Sequence, residues 1–178
     1  MSDEPPSTPF LCDLTHLAGD WETSLPGASD IAVAAVEAAY PSVPADRRPA
    51  GPAEVSLVLA DNATVRDLNA TYRGQDKPTN VLSFAALEGE TAEVPGAPAV
   101  LGDIVLALET VLGEAEEQGK QPADHLRHLC VHGLLHLLGY DHQDDREAAE
   151  MEGLEVRVLA GMGVADPYGG ERAAGDAA

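Results

Sequence analysis

Several stretches of the chain place apolar residues at the three- to four-residue spacing of an amphipathic helix. Residues 28–39 show this spacing behind Ser29 and Asp30, which are favoured N-cap residue types, and they run into Pro41 as a stop. This pattern predicts a surface helix. Two further helices are predicted, over residues 110–118 and 144–159.

The helix predicted after residue 60 has a signal at each end. Asp61 or Asn62 can cap its start, and Gly74 breaks it after it has reached about Tyr72. A polar loop over residues 73–79 is expected to follow. The inward face of this helix is predicted to carry Val65, Leu68 and either Ala63 or Tyr72.

Shorter apolar runs between these helices are typical of strands. Residues 55–59 predict a buried strand, and residues 80–85 and 104–108 have strand composition. Residues 88–98 carry Gly and Pro between the last two runs. They predict a long hairpin loop that joins these two strands.

The length and composition of the chain favour a single domain. A chain of 178 residues with 44% apolar residues can build one hydrophobic core. Residues 10–168 are expected to form it, because residues 1–9 and 169–178 lack apolar periodicity and should fray. The sequence has no apolar run long enough to span a membrane and no signal-peptide pattern, so we expect a cytoplasmic protein with no membrane partner.

The two cysteines, Cys12 and Cys130, are predicted to be small core residues that stay reduced. Cys130 precedes His132 by two residues, which turns the two side chains roughly 200° apart on a helix. A metal-ligand role for Cys130 is therefore disfavoured.

The charge of the chain limits how it can meet nucleic acid. Ten basic and 31 acidic residues give a formal charge of −21, which repels RNA over most of the surface, so any RNA contact must be local. The same field attracts basic proteins, including ribosomal ones. An acidic surface that serves only solubility is the alternative.

Three histidines stand at a spacing typical of a metal site. Residues 123–138 predict a helix that ends at Gly139, and His132, His136 and His142 follow the pattern H-x3-H-x5-H. Histidines four residues apart share a helix face, and a left-handed Gly139 lets the chain turn back so that His142 reaches the same ion. Three neutral imidazoles leave a tetrahedral metal one open position for water, as in catalytic zinc sites.

Other residues near this motif bear on its chemistry. His125 and His128 are expected to be polar filler or to support the ligands, and His16 to be unrelated. Position 133 is Gly where the metalloprotease pattern H-E-x-x-H has its catalytic Glu. A zinc peptidase is therefore the weaker hypothesis.

The segment from His132 to His142 closely resembles the HGxLHLxGYDH signature of the YbeY family of metal-dependent endoribonucleases. Residues 69–84, with Tyr72-Arg73-Gly74 followed by Asp76-Lys77 and Thr79-Asn80, are similar to the family's N-x-x-Y-R-G-x-D-K-x-T-N-V-L-S-F block. Residues 101–104 resemble its GDI strand, and residues 151–168 its last helix and D-P-Y ending. The resemblance covers roughly residues 53–168.

This resemblance implies a zincin-like α+β fold, with a small mixed sheet packed against helices around a central metal-binding helix. It implies one zinc ion as cofactor and a single-stranded RNA substrate, the precursor of 16S ribosomal RNA near its 3′ end, on the small ribosomal subunit. Roles in ribosomal RNA maturation and ribosome quality control follow, and no DNA substrate is expected. A non-enzymatic, zinc-stabilised ribosome assembly factor is the alternative.

The resemblance also assigns a catalytic arginine to Arg73. A guanidinium can meet the negative charge of a phosphoryl transition state with two parallel hydrogen bonds. The expected nucleophile is a water activated by zinc or a ribose 2′-OH. Asp141, beside His142, can orient a histidine or relay a proton, although an ordinary loop carboxylate is the alternative.

Overall fold

A four-stranded mixed sheet forms the centre of the computed structural model, which describes residues 10–75, 79–85, 98–141 and 143–168. Both terminal segments and most of the predicted 88–98 loop lie outside these residues. Within them the strands are β1 (Phe10–His16), β2 (Ala53–Ala60), β3 (Val81–Ala85) and β4 (Ala99–Ala107). The α-helices are α1 (Trp21–Ser24), α2 (Ala28–Ala39), α3 (Asn62–Arg73), α4 (Leu108–Gln118), α5 (Pro122–Leu137) and α6 (Asp145–Gly161).

The strands lie in the order β1-β2-β4-β3. The first three strands in this order are parallel, and β3 pairs antiparallel with β4 at one edge. Leu14, Leu57, Ile104 and Ser83 stand in one row across the sheet. The α+β fold with a small mixed sheet, expected from the resemblance, is therefore confirmed.

Helices pack on both faces of the sheet. Successive residues of each strand point to opposite faces and contact different helices. Leu57, Ile104 and Leu106 point to the face on which α2 and α5 pack, where the main core lies. The intervening residues Val105 and Leu82 form a smaller cluster with Val65 of α3. Since successive strand residues point to opposite faces, α3 lies on the other side of the sheet from α5.

Helix α2 has the predicted bounds, but its predicted N-cap is wrong. The cap position is Gly27, with a φ of 81°, and Ser29 lies inside the helix. The carboxylate of Glu22 accepts hydrogen bonds from the backbone N–H groups of Gly27 and Ser29 and from the Ser29 hydroxyl. A side chain from α1 thus satisfies the donors that Ser29 or Asp30 was expected to cap.

Helix α3 begins and ends as predicted. The side chain of Asp61 accepts a hydrogen bond from Thr64 N, and Gly74 adopts a left-handed conformation with a φ of 66°. Its inward face is only partly as predicted: Val65 is buried and Leu68 half-buried, whereas Ala63 and Tyr72 are exposed. Asn69 is buried instead. The helix covers a small part of the sheet, so its buried stripe is narrow.

The predicted strands exist, with different bounds. The 55–59 prediction extends to Ala53–Ala60, and the 104–108 prediction begins five residues earlier, at Ala99, and ends at Ala107 because Leu108 starts α4. Strand β1 and the short α1 were not predicted. In β1 the half-buried Phe10, Cys12 and Leu14 alternate with exposed residues, a signal spread over only seven positions.

Both cysteines are free thiols in the apolar part of the fold. Cys130 is fully buried, and Cys12 is half-buried against the same core. Burial raises the pKa of both thiols, that of Cys12 to about 12. The prediction of core cysteines is therefore confirmed for Cys130 and holds in part for Cys12.

Thiol labelling tests this placement. A thiolate is the reactive form, so at pH 8 a thiol with a pKa of about 12 should react about a thousandfold more slowly than an unperturbed cysteine. We expect slow reaction of both thiols with a chromogenic disulfide in native protein and fast reaction in denaturant. Rapid native labelling of Cys130 that zinc suppresses would instead place Cys130 at a metal.

Candidate metal centre

His132 and His136 project from one face of α5 and converge. Their Nε2 atoms are 3.0 Å apart, and both side chains are half-buried. Two ligands of one tetrahedral ion, each about 2.0–2.1 Å from it, stand a little over 3 Å from one another. The helical spacing therefore produces the pairing that the sequence predicted.

The turn after α5 fixes the orientation of His136. Gly139 has a φ of 94°, Tyr140 N donates to Leu135 O, and Gly139 N donates to His136 O, which together form a Schellman cap. This turn brings the carbonyl oxygen of Tyr140 to 3.0 Å from His136 Nδ1. Since a carbonyl only accepts, His136 carries its proton on Nδ1 and turns a lone pair outward on Nε2.

Helix α6 fixes the orientation of His132. The Nδ1 atom of His132 lies 2.5 Å from Oε1 of Glu155, a fully buried carboxylate. An ionised carboxylate only accepts, so His132 also carries its proton on Nδ1. This pairing leaves a lone pair on its Nε2 as well.

The two inward-facing nitrogens therefore suit a cation. Both Nε2 atoms are acceptors 3.0 Å apart, an arrangement that is repulsive unless a proton or a metal ion lies between them. Neutral imidazoles oriented by a carboxylate or a backbone carbonyl on Nδ1 are the usual form of histidine metal ligands. The donor set of this pair thus fits a metal ion.

The histidine pair opens into a pocket of about 550 Å³. Arg73, Ser83 and Asp141 line the same pocket, and strand β3 forms one wall. A volume of this size is within the range of small-molecule sites. The pocket therefore brings a histidine pair, a permanent cation and a carboxylate together.

Arg73 reaches this pocket from the last turn of α3. Its Nη2 donates to the carbonyl oxygen of Ser83 at 2.6 Å, and its guanidinium lies 5.4 Å from the centre of the Phe84 ring. These contacts draw the side chain around the edge strand β3. A guanidinium has five N–H donors, so this bond leaves donors for an anion.

Asp141 and His142 follow the Schellman turn. Asp141 is half-buried and lines the pocket, consistent with the predicted location. His142, the third predicted ligand, lies outside the described residues. Its role as a ligand, and the catalytic role of Asp141, stay predictions.

A second histidine group lies behind the pair. Ligand atoms of His128, His132 and Glu155 lie within 4.8 Å of one another and can together hold a metal ion. However, the 2.5 Å between His132 Nδ1 and Glu155 Oε1 is a hydrogen-bond distance, and two ligands of one ion stand farther apart. We therefore favour the Nε2 pair, with His128 in the supporting role expected from the sequence.

The other two histidines bind neighbouring side chains. His125 Nε2 pairs with Glu114 Oε1 at 2.9 Å, and burial lowers the pKa of this imidazole. His16 Nε2 pairs with the hydroxyl of Ser29 on α2. Neither contacts the Nε2 pair.

Sequence reasoning missed Glu155. This residue lies on the buried face of α6, beside Met151, Leu154, Val158 and Leu159. A single carboxylate on an apolar helix face was the available signal, because Glu is seldom fully buried without a partner. Its partner, His132, is 23 residues away in the chain, so the sequence did not show why it is there.

Gly133 has a structural reason for being Gly. A Cβ at this position would be 2.8 Å from Ile104 Cγ2 and 3.2 Å from Ser83 Oγ. Position 133 thus faces the sheet, and a side chain as large as Glu does not fit there. The absence of the metalloprotease Glu is consistent with this packing.

These features define a class of protein: an α+β domain with a histidine pair suited to a metal ion and an arginine in the same pocket, as in metal-dependent hydrolases that act on anionic substrates. The family model described as endoribonuclease YbeY matches residues 27–163. The chain therefore belongs to the endoribonuclease YbeY family, and the family and enzyme class predicted from the sequence are confirmed.

Individual relatives agree with this assignment. The endoribonuclease YbeY of Paramagnetospirillum magneticum is 63% identical over 122 residues, which cover 68% of this chain and 74% of the relative. That of Rhodospirillum rubrum is 49% identical over 173 residues, which cover 94% of this chain and 86% of the relative. A Thermotoga maritima protein solved in solution shares the fold, with a TM-score of 0.53 and 23% identity over 91% of this chain and 92% of that one.

None of the helices that the structure describes combines the length and the apolar composition needed to cross a bilayer.

Metal removal tests the centre. A ligand present at about a thousand times its Kd stabilises a protein by about 4 kcal/mol, which is roughly 8–16 °C in Tm for a chain of this size. We expect a chelator to lower Tm by about that amount and zinc to restore it. His136→Ala should abolish this response and His16→Ala should keep it; an unchanged response in His136→Ala would contradict the site.

Substitution of Gly133 tests the packing of α5. We expect Gly133→Ala to destabilise the protein by about 1–2 kcal/mol, because overpacking against Ile104 outweighs the higher helix propensity of Ala. Gly153→Ala, on α6, meets no atom within 4 Å and should be neutral or stabilising by up to about 1 kcal/mol. Denaturant titration measures both, and a stabilised Gly133→Ala would contradict the close approach.

Proposed function

We propose that this chain is a zinc-dependent endoribonuclease that cleaves single-stranded RNA during ribosomal RNA maturation. The observation that carries the proposal is the pocket in which the convergent Nε2 atoms of His132 and His136 share space with the Arg73 guanidinium. Family membership supports RNA cleavage as the reaction. The side chains of the pocket support a mechanism that uses a metal ion and an arginine.

His132 and His136 would hold the ion, with His142 as the third ligand. When bound, the metal would supply Lewis-acid polarisation of a phosphoryl oxygen and a lowered pKa for water. Imidazoles also suit nickel, copper and iron. Zinc is the metal we propose, because tetrahedral imidazole sites with an open position are typical of catalytic zinc.

Arg73 is well placed to bind the scissile phosphate. Its guanidinium is permanently charged, and the Ser83 carbonyl holds one of its nitrogens at the pocket wall. The remaining N–H groups can donate to nonbridging oxygens, where negative charge grows in the transition state. The bond to Ser83 reduces the entropy that the side chain would lose on binding.

Asp141 is the carboxylate that lines the pocket together with the histidine pair. In this position it can accept a proton from a water or ribose 2′-OH nucleophile, or orient a neighbouring imidazole.

The preference for a single strand follows from charge and size. A formal charge of −21 opposes the close approach of a duplex, whose two strands bring many phosphates to the surface. A pocket of about 550 Å³ has room for only a short piece of one strand. Local attraction by Arg73 is then sufficient for one phosphate.

The biological setting belongs to the same proposal. We expect the substrate to be the 16S ribosomal RNA precursor near its 3′ end, and the compartment to be the cytoplasm, where ribosomes are assembled. Basic ribosomal proteins of the small subunit are the expected protein partners, since an acidic surface attracts them.

Arg73→Ala tests the proposal. We expect it to lower the cleavage rate of single-stranded RNA about 100- to 1,000-fold, the usual cost of losing one transition-state donor, while zinc content stays at the wild-type level. Arg73→Lys should be intermediate, because it keeps the charge but loses the planar fork. A labelled-RNA assay, run with and without a chelator, measures the cleavage rate of each variant.

Arg66→Ala, on the exposed part of α3, is the matched control and should leave the rate unchanged. Cleavage that persists in a His132→Ala/His136→Ala double variant would come from a contaminating nuclease and would defeat the proposal. If Arg73→Ala protein restored ribosomal RNA processing in cells lacking the enzyme, a non-enzymatic assembly role would be favoured instead.

A further inference from the structure

A buried carboxylate lies directly behind the histidine pair. Glu155 is fully buried, and each of its oxygens is engaged: Oε1 with His132 Nδ1 at 2.5 Å, and Oε2 with the Tyr168 hydroxyl and, at 3.4 Å, with His128 Nε2. A buried charge is strongly unfavourable unless it is paired and hydrogen-bonded. The group around Glu155 therefore has to stabilise a negative charge.

The contacts of Glu155 are those of an ionised carboxylate, because ring nitrogens of His132 and His128 and the Tyr168 hydroxyl converge on its two oxygens. An ionised carboxylate accepts on both oxygens, so His132 must present Nδ1–H to it. The opposite tautomer of His132 would place a lone pair against the carboxylate.

Tyr168 lies in the segment after α6, and two hydrogen bonds of this segment hold it beside Glu155. Asp166 Oδ1 accepts the backbone N–H of Tyr168 at 2.8 Å, and the Lys120 ammonium donates to Pro167 O at 3.1 Å. The first bond closes a turn within residues 166–168, and the second ties this turn to the loop that precedes α5. The Tyr168 ring then stands edge-on to His128, with ring centres 5.4 Å apart, and its hydroxyl reaches Glu155.

We infer that Glu155 is a positioning residue of the metal centre, and that Tyr168 and His128 hold it in place. Its carboxylate keeps His132 in the tautomer that points Nε2 at the ion, and its negative charge offsets the positive charge of the metal across the imidazole. The inference rests on the proposed metal site. It adds a determinant of metal affinity supplied by α6 and by the segment that follows it.

The same atoms allow a different assignment, a second ion held by His128, His132 and Glu155. Such an ion would have to replace the protons that His132 Nδ1 and the Tyr168 hydroxyl donate to Glu155. It would also have to separate His132 Nδ1 from Glu155 Oε1, now 2.5 Å apart. Metal stoichiometry distinguishes this assignment from ours.

Glu155→Gln tests the inference without reference to RNA cleavage. We expect zinc Kd, measured by competition with a chromophoric chelator, to rise about 10- to 100-fold, the usual effect of losing a carboxylate behind a histidine ligand. In metal-free protein, ¹⁵N chemical shifts should show His132 with Nδ1 protonated in the wild type and a mixture of tautomers in the variant. A purely structural role would lower stability without changing either readout.

Two further variants complete the test. Tyr168→Phe keeps the ring and removes one hydrogen bond to Glu155, so it should fold and raise Kd about two- to tenfold. Glu152→Gln, on the same helix and with the same change in charge, should leave Kd unchanged. The inference is overturned if Glu155→Gln binds zinc as tightly as the wild type, or if the wild type binds two ions and Glu155→Gln one.

Zinc binding and RNA cleavage by the wild type distinguish a wrong positioning role of Glu155 from a wrong proposed function. Wild-type protein that binds no zinc would contradict the proposed site itself. Wild-type protein that binds zinc and cleaves RNA, alongside a Glu155→Gln protein of equal affinity, would contradict only the positioning role.

Discussion

The close packing of α5 against strands β3 and β4 is the constraint on which the site depends. Gly133 lets the helix approach Ile104, and the Ser83 hydroxyl donates to the carbonyl oxygen of Gly133 at 3.2 Å. This contact sets the height of α5 over the sheet. As a result, His132 and His136 open into the same pocket that Arg73 enters around the edge of β3.

Each histidine of the pair is oriented by a different part of the chain. The Schellman turn at Gly139 supplies the Tyr140 carbonyl to His136, so that orientation is local to α5. Glu155 of α6 supplies a carboxylate to His132, so that orientation is tertiary. Both interactions fix the proton on Nδ1 and leave Nε2 for a cation. The centre is therefore preorganised by one backbone acceptor and one buried charge.

The electrostatics of the molecule differ between its surface and its pocket. The formal charge of −21 repels a polyanion at long range, but this repulsion is screened beyond about 10 Å at moderate salt. Within the pocket, the Arg73 guanidinium and the histidine pair line the same space. Under the proposed function, the pocket can therefore attract one phosphate locally although the surface as a whole repels RNA.

Features that depend on residues close together in the chain could be predicted before the structure was known. The His132/His136 pair, the left-handed Gly139, the Asp61 cap and the bounds of α2 all follow from helical periodicity and local backbone preference, which act within one or two turns. The remaining features arose from tertiary packing. It buried Glu155 against His132, used Glu22 rather than Ser29 at the start of α2, left Tyr72 exposed, and added β1 to the sheet. These outcomes depend on groups far apart in the chain, whose contact exists only once the helices have packed on the sheet.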